Sequence, residues 1–310
     1  MKDWNYAFEV PEDKKIRMIV HTDCKNEADD QFALAHHLMT PKFVVKGIIG
    51  AHFNENPQEW GKGHTAKASM DEIHKVLSLM KLEGRYPVVE GAELPLTDEN
   101  TPIQSPGAKL IIEEAMKDDK RPLYIACLGS ITDLASAIIM EPAISKRMTA
   151  IWIGGGTYPE GGWEFNLLQD VIGANVVMKS TMPLWQIPVS TYKQMSVSLA
   201  ELQLRVRPCG EIGAYLFEQT VAFNNKCGKS PHWPHGETWT LGDSPTIGVL
   251  LVEQDRVNDL YEELQAPTID LKTMKYSYEN ENRKIRVYHH IDVRITMEDF
   301  YTKLALNFPR

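Results

Sequence analysis

Short apolar runs alternate along the chain with stretches whose apolar residues recur every three or four positions. Ile16, Met18, Ile19 and Val20 read as a buried strand, and Phe32, Ala33, Leu34, Leu38 and Met39 give a helical stripe that stops before Pro41. Residues 43–49 form a second strand, so the unit is the βαβ element of a parallel sheet. The alternation continues with a helix over 64–81 ended by Gly84, a short strand at 87–91 and a helix over 108–117. A fully apolar strand at 123–128 follows, then a helix reaching Met140 and a strand at 150–156 that ends in glycines. Next come a helix over 171–179, a strand at 183–189, and two helices within 199–225 broken at Pro208-Cys209-Gly210. A helix over 247–252, a half-buried strand at 284–288 and a last helix from about 297 to 307 complete the pattern. It predicts one α/β domain over residues 1–310, with an open, mostly parallel sheet flanked by helices.

Composition narrows the partners. A net charge of -9 with no Lys/Arg block argues against nucleic acid and anionic membranes, whose binding needs concentrated positive charge, and leaves a small-molecule substrate as the expected partner. No apolar run approaches the ~18 residues of a membrane span. Cys24, Cys127, Cys209 and Cys227 form no C-x-x-C pair, and the hydrophilic start offers no signal-peptide core, so a reduced cytoplasmic protein is expected.

Candidate chemistry concentrates where the first strand gives way to the first helix. Asp23, Glu27, Asp29 and Asp30 put four acidic groups within eight residues, at the strand edge where open α/β sheets bind ligands. Each close pair repels by about a kcal/mol or more at intermediate dielectric, and a hard divalent cation removes that cost. Oxygen ligands without thiolate or an obvious imidazole partner favour calcium or magnesium over zinc. Part of the pattern has a simpler reading, since Asn26 is a good N-cap and Asp29 and Asp30 in a first turn complement the helix dipole. Asp23, where the buried strand ends, contributes nothing to such a cap. The loop lacks the alternating ligands and central glycine of an EF-hand.

Other polar loops leave strand ends. His52 and Asn54 are candidate substrate contacts, or members of a solvated loop. Glu164 supplies two acceptor oxygens and Asn166 both donates and accepts, which suits a vicinal diol and a primary hydroxyl, or the two belong to an exposed loop. Residues 229–239 gather His232, Trp233, His235, Glu237 and Trp239. Such a loop either stacks on and protonates a flat nucleobase or packs its tryptophans on the surface. His289 and His290 read as a solvated strand end.

The run His21-Thr22-Asp23, a short loop, Asp29-Asp30 and an apolar helix resembles the amino-terminal signature of the nucleoside hydrolase family, usually Asp-x-Asp-Pro-Gly-x-Asp-Asp. Here His21 stands at the first acidic position and the loop is longer by two residues. Asn26-Glu27-Ala28-Asp29-Asp30-Gln31 resembles the Asn-Glu-x-Asp-Asp-Gln form of a divergent branch. Leu128-Gly129-Ser130-Ile131-Thr132-Asp133 is similar to the family's segment ending in Thr-Asn, and Glu164-Phe165-Asn166 with Asp170 matches its Glu-Phe-Asn motif. Asp243 aligns with the Asp of a His-Asp-Pro/Ser segment. Gly242 stands where many members have a histidine that protonates the leaving base, and Gln104-Ser105-Pro106-Gly107 replaces a His-Gly and Asp-Gly loop. The motifs keep the family's order from residue 16 to 250.

The resemblance implies a nucleoside hydrolase fold with a Rossmann-like core, and calcium-dependent hydrolysis of the N-glycosidic bond of a ribonucleoside or closely related ribosyl compound. It implies Asp23, Asp30, the Leu128 carbonyl and Asp243 as Ca²⁺ ligands, and Asp23 as general base toward water. Asp29, Glu164 and Asn166 would grip the ribose. His52, Asn54, His235 and Trp239 are the further candidate substrate contacts, and a homodimer or homotetramer is expected. The alternative is a non-catalytic sugar- or nucleoside-binding protein that keeps the metal and diol grip, a reading motivated by Gly242 and the replaced loop.

Overall fold

In the computed structural model, which describes residues 4–227, 230, 236–253, 259–279 and 283–309, the first apolar run forms β1 (Ile16–Thr22), buried at every position. Met18 and Val20 join one core cluster and Ile19 the other, because successive strand side chains point to opposite faces. Burial on both faces is what a central parallel strand requires. Accordingly, β1 pairs in parallel with β2 (Phe43–Gly50) on one side and β4 (Leu123–Cys127) on the other.

The sheet is completed by β3 (Val88–Glu90), β5 (Met148–Ile153), β6 (Leu184–Ile187), β9 (Tyr261–Gln265) and β12 (Lys284–Tyr288), in the order β3-β2-β1-β4-β5-β6-β12-β9. Every pairing is parallel except β9 against β12. Helices α1 (Asp30–Met39), α2 (Thr65–Leu79), α9 (Gly210–Cys227), α10 (Pro245–Leu251) and α11 (Val293–Asn307) contribute to the core on one face. On the other lie α3 (Pro106–Met116), α4 (Thr132–Met140) and α6 (Val171–Lys179). Short elements sit between them: α5 (Phe165–Gln169), α7 (Val189–Tyr192), α8 (Leu199–Arg205), the antiparallel pair β7 (Ser196–Ser198) and β8 (Thr238–Thr240), and the pair β10 (Thr268–Ile269) and β11 (Tyr276–Ser277). No helix among the described residues is long and apolar enough to cross a membrane.

Strand order reverses between β1 and β4, and the crevice outside the carboxyl ends of two such strands is where open sheets take ligands. The acidic loop leaves β1 there, and Leu128 leaves β4 beside it, its N–H donating to His21 O at 2.8 Å. Two boundaries differ from the sequence pattern. The N-cap of α1 is Asp29, whose side chain accepts from Asp30 N, while Asn26 N closes a turn on Asp23 O at 2.8 Å. Helix α11 begins before residue 297 because Asp292 caps it, accepting from Ile295 N at 2.9 Å.

Candidate active site

The loop from Asp23 to Asp29 belongs to no helix or strand, so its carbonyls need other partners. Side-chain amides supply them. Gln31 Nε2 donates to Cys24 O at 2.6 Å, Gln58 Nε2 to Asn26 O at 2.7 Å and Gln219 Nε2 to Ala28 O at 3.1 Å. Lys25 adds an ion pair with the buried Glu72 of α2 at 3.1 Å. The loop is thus anchored to α1, α2 and α9, and these anchors fix the acidic side chains it carries.

Asp29, Asp30 and Asp243 are buried, with one carboxylate oxygen from each within 4.8 Å of the others. Asp243 lies just before α10, which packs against α1 and so brings it to the loop. The acids lie against one another and near neighbours: Glu27 beside Asp29, Asp30 beside Asp243, and the Thr22 hydroxyl donating to Asp30 Oδ1. Asp23 is placed differently. Its Oδ2 is buried with no hydrogen-bond partner, and its Oδ1 lies where any Cβ on Gly129 would collide with it. Burial first and the Asp29 charge second push Asp23 up to about 8, and burial raises Asp29 to about 6. Asp30, Asp243 and Glu27 rise for the same reasons, burial and then neighbouring carboxylates.

A buried, oxygen-only donor set with one orphaned carboxylate oxygen fits a metal ion of the hard class. The converging trio contains Asp29, which the sequence reading assigned to the sugar, and not Asp23. Capping α1 is what holds the Asp29 carboxylate beside Asp30.

These acids line a cavity of about 650 Å³ together with Leu128, Glu164, Asn166 and Tyr192. Asn166 Nδ2 donates to Leu128 O at 2.7 Å and Ile153 O at 2.9 Å, tying together the ends of β4 and β5. The Leu128 carbonyl keeps a second lone pair. Glu164 caps α5, accepting from Asn166 N at 3.0 Å and Leu167 N at 2.8 Å. It also accepts from Gly155 N at 2.8 Å, where φ is 90° and glycine is favoured, and from Tyr192 Oη at 2.9 Å. Burial and the Glu164 charge keep the Tyr192 phenol protonated.

Other candidate contacts lie elsewhere. His52 is fully buried, its Nε2 2.8 Å from Thr132 Oγ1, and does not line the cavity. Asn54 spends its amide on Glu93 O, Gly63 N and Thr65 Oγ1, which shapes its own loop. Trp239 is carried into the core by β8 and meets Phe223 edge-on at 5.7 Å, so its ring is unavailable for stacking on a ligand. His235, with His232 and Trp233, lies outside the described residues. The cavity lining instead includes Trp163, 65% exposed, with Phe165, Tyr192 and Lys193. None of the four is a substrate contact in the sequence reading, where Phe165 enters only as the middle of the Glu-Phe-Asn motif. The available signal was position, since Tyr192 and Lys193 come shortly after the carboxyl end of β6.

Residues 18–299 match the family described as inosine-uridine preferring nucleoside hydrolase. A pyrimidine-specific ribonucleoside hydrolase RihA from Salmonella enteritidis is 23% identical over 236 residues, 68% of this chain and 72% of that protein. The RihA of an Enterobacter species is 23% identical over 257 residues, covering 74% and 77%. Among solved structures, a purine-preferring ribonucleoside hydrolase from Gardnerella vaginalis superposes with a TM-score of 0.73 at 18% identity, covering 95% of this chain and all of that one (100%). The inosine-uridine preferring nucleoside hydrolase from Bacillus anthracis gives 0.66 at 16% identity, covering 94% and 99%. Both share the fold.

Proposed function

Since the chain belongs to the inosine-uridine preferring nucleoside hydrolase family of N-glycosyl hydrolases, we propose that it uses calcium to hydrolyse ribonucleosides, or a closely related ribosyl compound, to ribose and a free base. One observation carries this reading. The converging carboxylates of Asp29, Asp30 and Asp243 line the same cavity as Asp23, Glu164 and Asn166, and Asp23 keeps one buried carboxylate oxygen, Oδ2, without a hydrogen-bond partner.

Asp29, Asp30 and Asp243, with the Leu128 carbonyl and Asp23 beside them, would hold the ion. Bound Ca²⁺ would offset the clustered negative charge, keep the carboxylates ionised and polarise sugar hydroxyls. Asp23 takes the proton of the water that attacks the anomeric carbon, a role open to an oxygen that makes no hydrogen bond within the chain. As the bond to the base breaks, positive charge develops on the sugar, and the acidic wall stabilises it more than it stabilises the ground state. Asn166, its amide hydrogens spent on Leu128 O and Ile153 O, offers Oδ1 as an acceptor to a sugar hydroxyl, and Glu164 stands beside it with acceptor positions already met by the chain. Gly242 has no side chain to protonate the departing base, so that proton comes from another group or the base leaves without one.

The test is a screen of calcium-loaded protein against purine and pyrimidine ribonucleosides, scored for reducing sugar. Release of ribose that a chelator abolishes is expected. Tight binding with no release would overturn the proposal in favour of a nucleoside-binding protein.

A further inference from the structure

A carboxylate offers about four lone-pair positions, and the chain fills all four on Glu164. Three donors are backbone N–H groups, those of Gly155, Asn166 and Leu167. They are fixed by the end of β5 and the first turn of α5 and cannot turn away. The fourth is the Tyr192 hydroxyl at 2.9 Å, carried by a half-buried side chain that itself lines the cavity. The ring is seated against Gly242, where an added Cβ would stand 3.2 Å from Tyr192 Cδ2 and 3.3 Å from Asp29 Oδ2. A side chain at 242 would press the ring, or the Asp29 carboxylate, back by a few tenths of an ångström. The glycine and the phenol therefore belong to one arrangement.

We propose that Tyr192 determines which sugar hydroxyls this site recognises: its phenol occupies the one exchangeable acceptor position of Glu164, and a ligand hydroxyl is accepted there only by displacing it. This rests on the reading of the cavity as a ribosyl site. The exchange replaces one hydroxyl-to-carboxylate hydrogen bond by another, so a ligand gains little from a hydroxyl at that point. The substrate class that follows is ribosyl compounds in which the position facing Glu164 is deoxygenated or substituted, accepted alongside the parent nucleoside.

Calcium-loaded wild type and Tyr192→Phe, which keeps the ring on Gly242, are compared on uridine and its 2'-, 3'- and 5'-deoxy analogues. Ligands that are hydrolysed are compared by kcat/KM and ligands that are only bound by Kd. A chain that binds without hydrolysing would thus refute the hydrolase reading and still test this one. In the wild type, one deoxy analogue should fall within about threefold of uridine. In Tyr192→Phe the same analogue should fall about tenfold or more behind uridine, the worth of a hydrogen bond to a charged acceptor, while the other two ratios stay put. Identical ratios in both proteins, a uniform change across all four ligands, or failure of both proteins to bind any of them would overturn the proposal.

Discussion

His21 Nε2 lies 2.9 Å from Asp133 Oδ2, and neither side chain is exposed to solvent. Asp133 also accepts from Ala92 N at 3.0 Å and from the Ser105 hydroxyl, and Ser105 in turn caps α3. Burial raises the Asp133 carboxyl, but the His21 hydrogen bond and charge, with Ser105 and Ala92, bring it below its usual range. Where the family pattern has Asp followed far downstream by Asn, this chain has His and Asp. The carboxylate therefore stands at the other of these two positions, and Ser105 in the divergent loop donates to it.

Removing one partner of a buried pair leaves the other charge uncompensated, at about 3–5 kcal/mol. His21→Ala should therefore lose roughly that much stability in urea unfolding. The double variant His21→Asp with Asp133→Asn, which puts the residue types of the family pattern at both positions and again pairs a carboxylate with a donor, should recover more than half of the loss. Equal destabilisation by the single and double variants would show that the pair is not the unit described.

Calcium content should respond to the converging trio. Purified protein should carry about one Ca²⁺ per chain, and Asp30→Ala or Asp243→Ala should lose it, because each deletes a charged oxygen from a small set. Elemental analysis measures this directly. Stoichiometric zinc, or unchanged calcium in both variants, would contradict the site.

Gly129→Ala should damage the site more than the fold. The added Cβ would overlap Asp23 Oδ1 and Cγ, so the carboxylate must move. Turnover should drop by about 10²-fold, the usual scale for a displaced general base. Far-ultraviolet dichroism should be unchanged. Wild-type turnover would mean that the position of Asp23 is not critical.

Two buried histidines predict acid sensitivity. Burial lowers His37 to about 3 and His52 to about 4 from an unfolded value of 6.5. Below 6.5 the unfolded chain takes up protons that the folded chain refuses, so stability falls with pH until the folded values are reached. His37 Nδ1 donates to Ala33 O at 2.8 Å and its Nε2 has no partner. His37→Gln keeps a donor but cannot charge. Between about pH 7 and about pH 4.5 it should lose roughly 2–3 kcal/mol less unfolding free energy than the wild type. Parallel profiles from urea titrations would contradict this.

Much of the architecture was legible in apolar periodicity, because β1, β4 and β5 are buried on both faces and α2 on one, while α1, buried all round, still carries an apolar stripe. Edge strand β9 was not: Tyr261, Glu262 and Glu263 are partly or fully exposed and carry no apolar signal. The acidic residues were legible as a cluster, but their grouping was not, since Asp29 joins Asp30 and Asp243 through its role as a cap. His52 and Asn54 sit at the anticipated strand end, yet partners distant in sequence, Thr132 and Glu93, turn them away from the cavity. Tyr192 escaped notice because it lies in a four-residue helix with no motif around it, and only the fold brings it to Glu164.

The most direct test is turnover of the metal-replete Asp23→Asn protein. Nucleoside hydrolysis is compared in wild type and variant at equal bound calcium, confirmed by elemental analysis of the same samples, with ribose measured as reducing sugar. The account predicts ribose release by the wild type and a loss of at least ~10²-fold in the variant, with calcium retained. Wild-type turnover by calcium-loaded Asp23→Asn would contradict the role assigned to the one buried carboxylate oxygen in this site that the chain leaves without a partner.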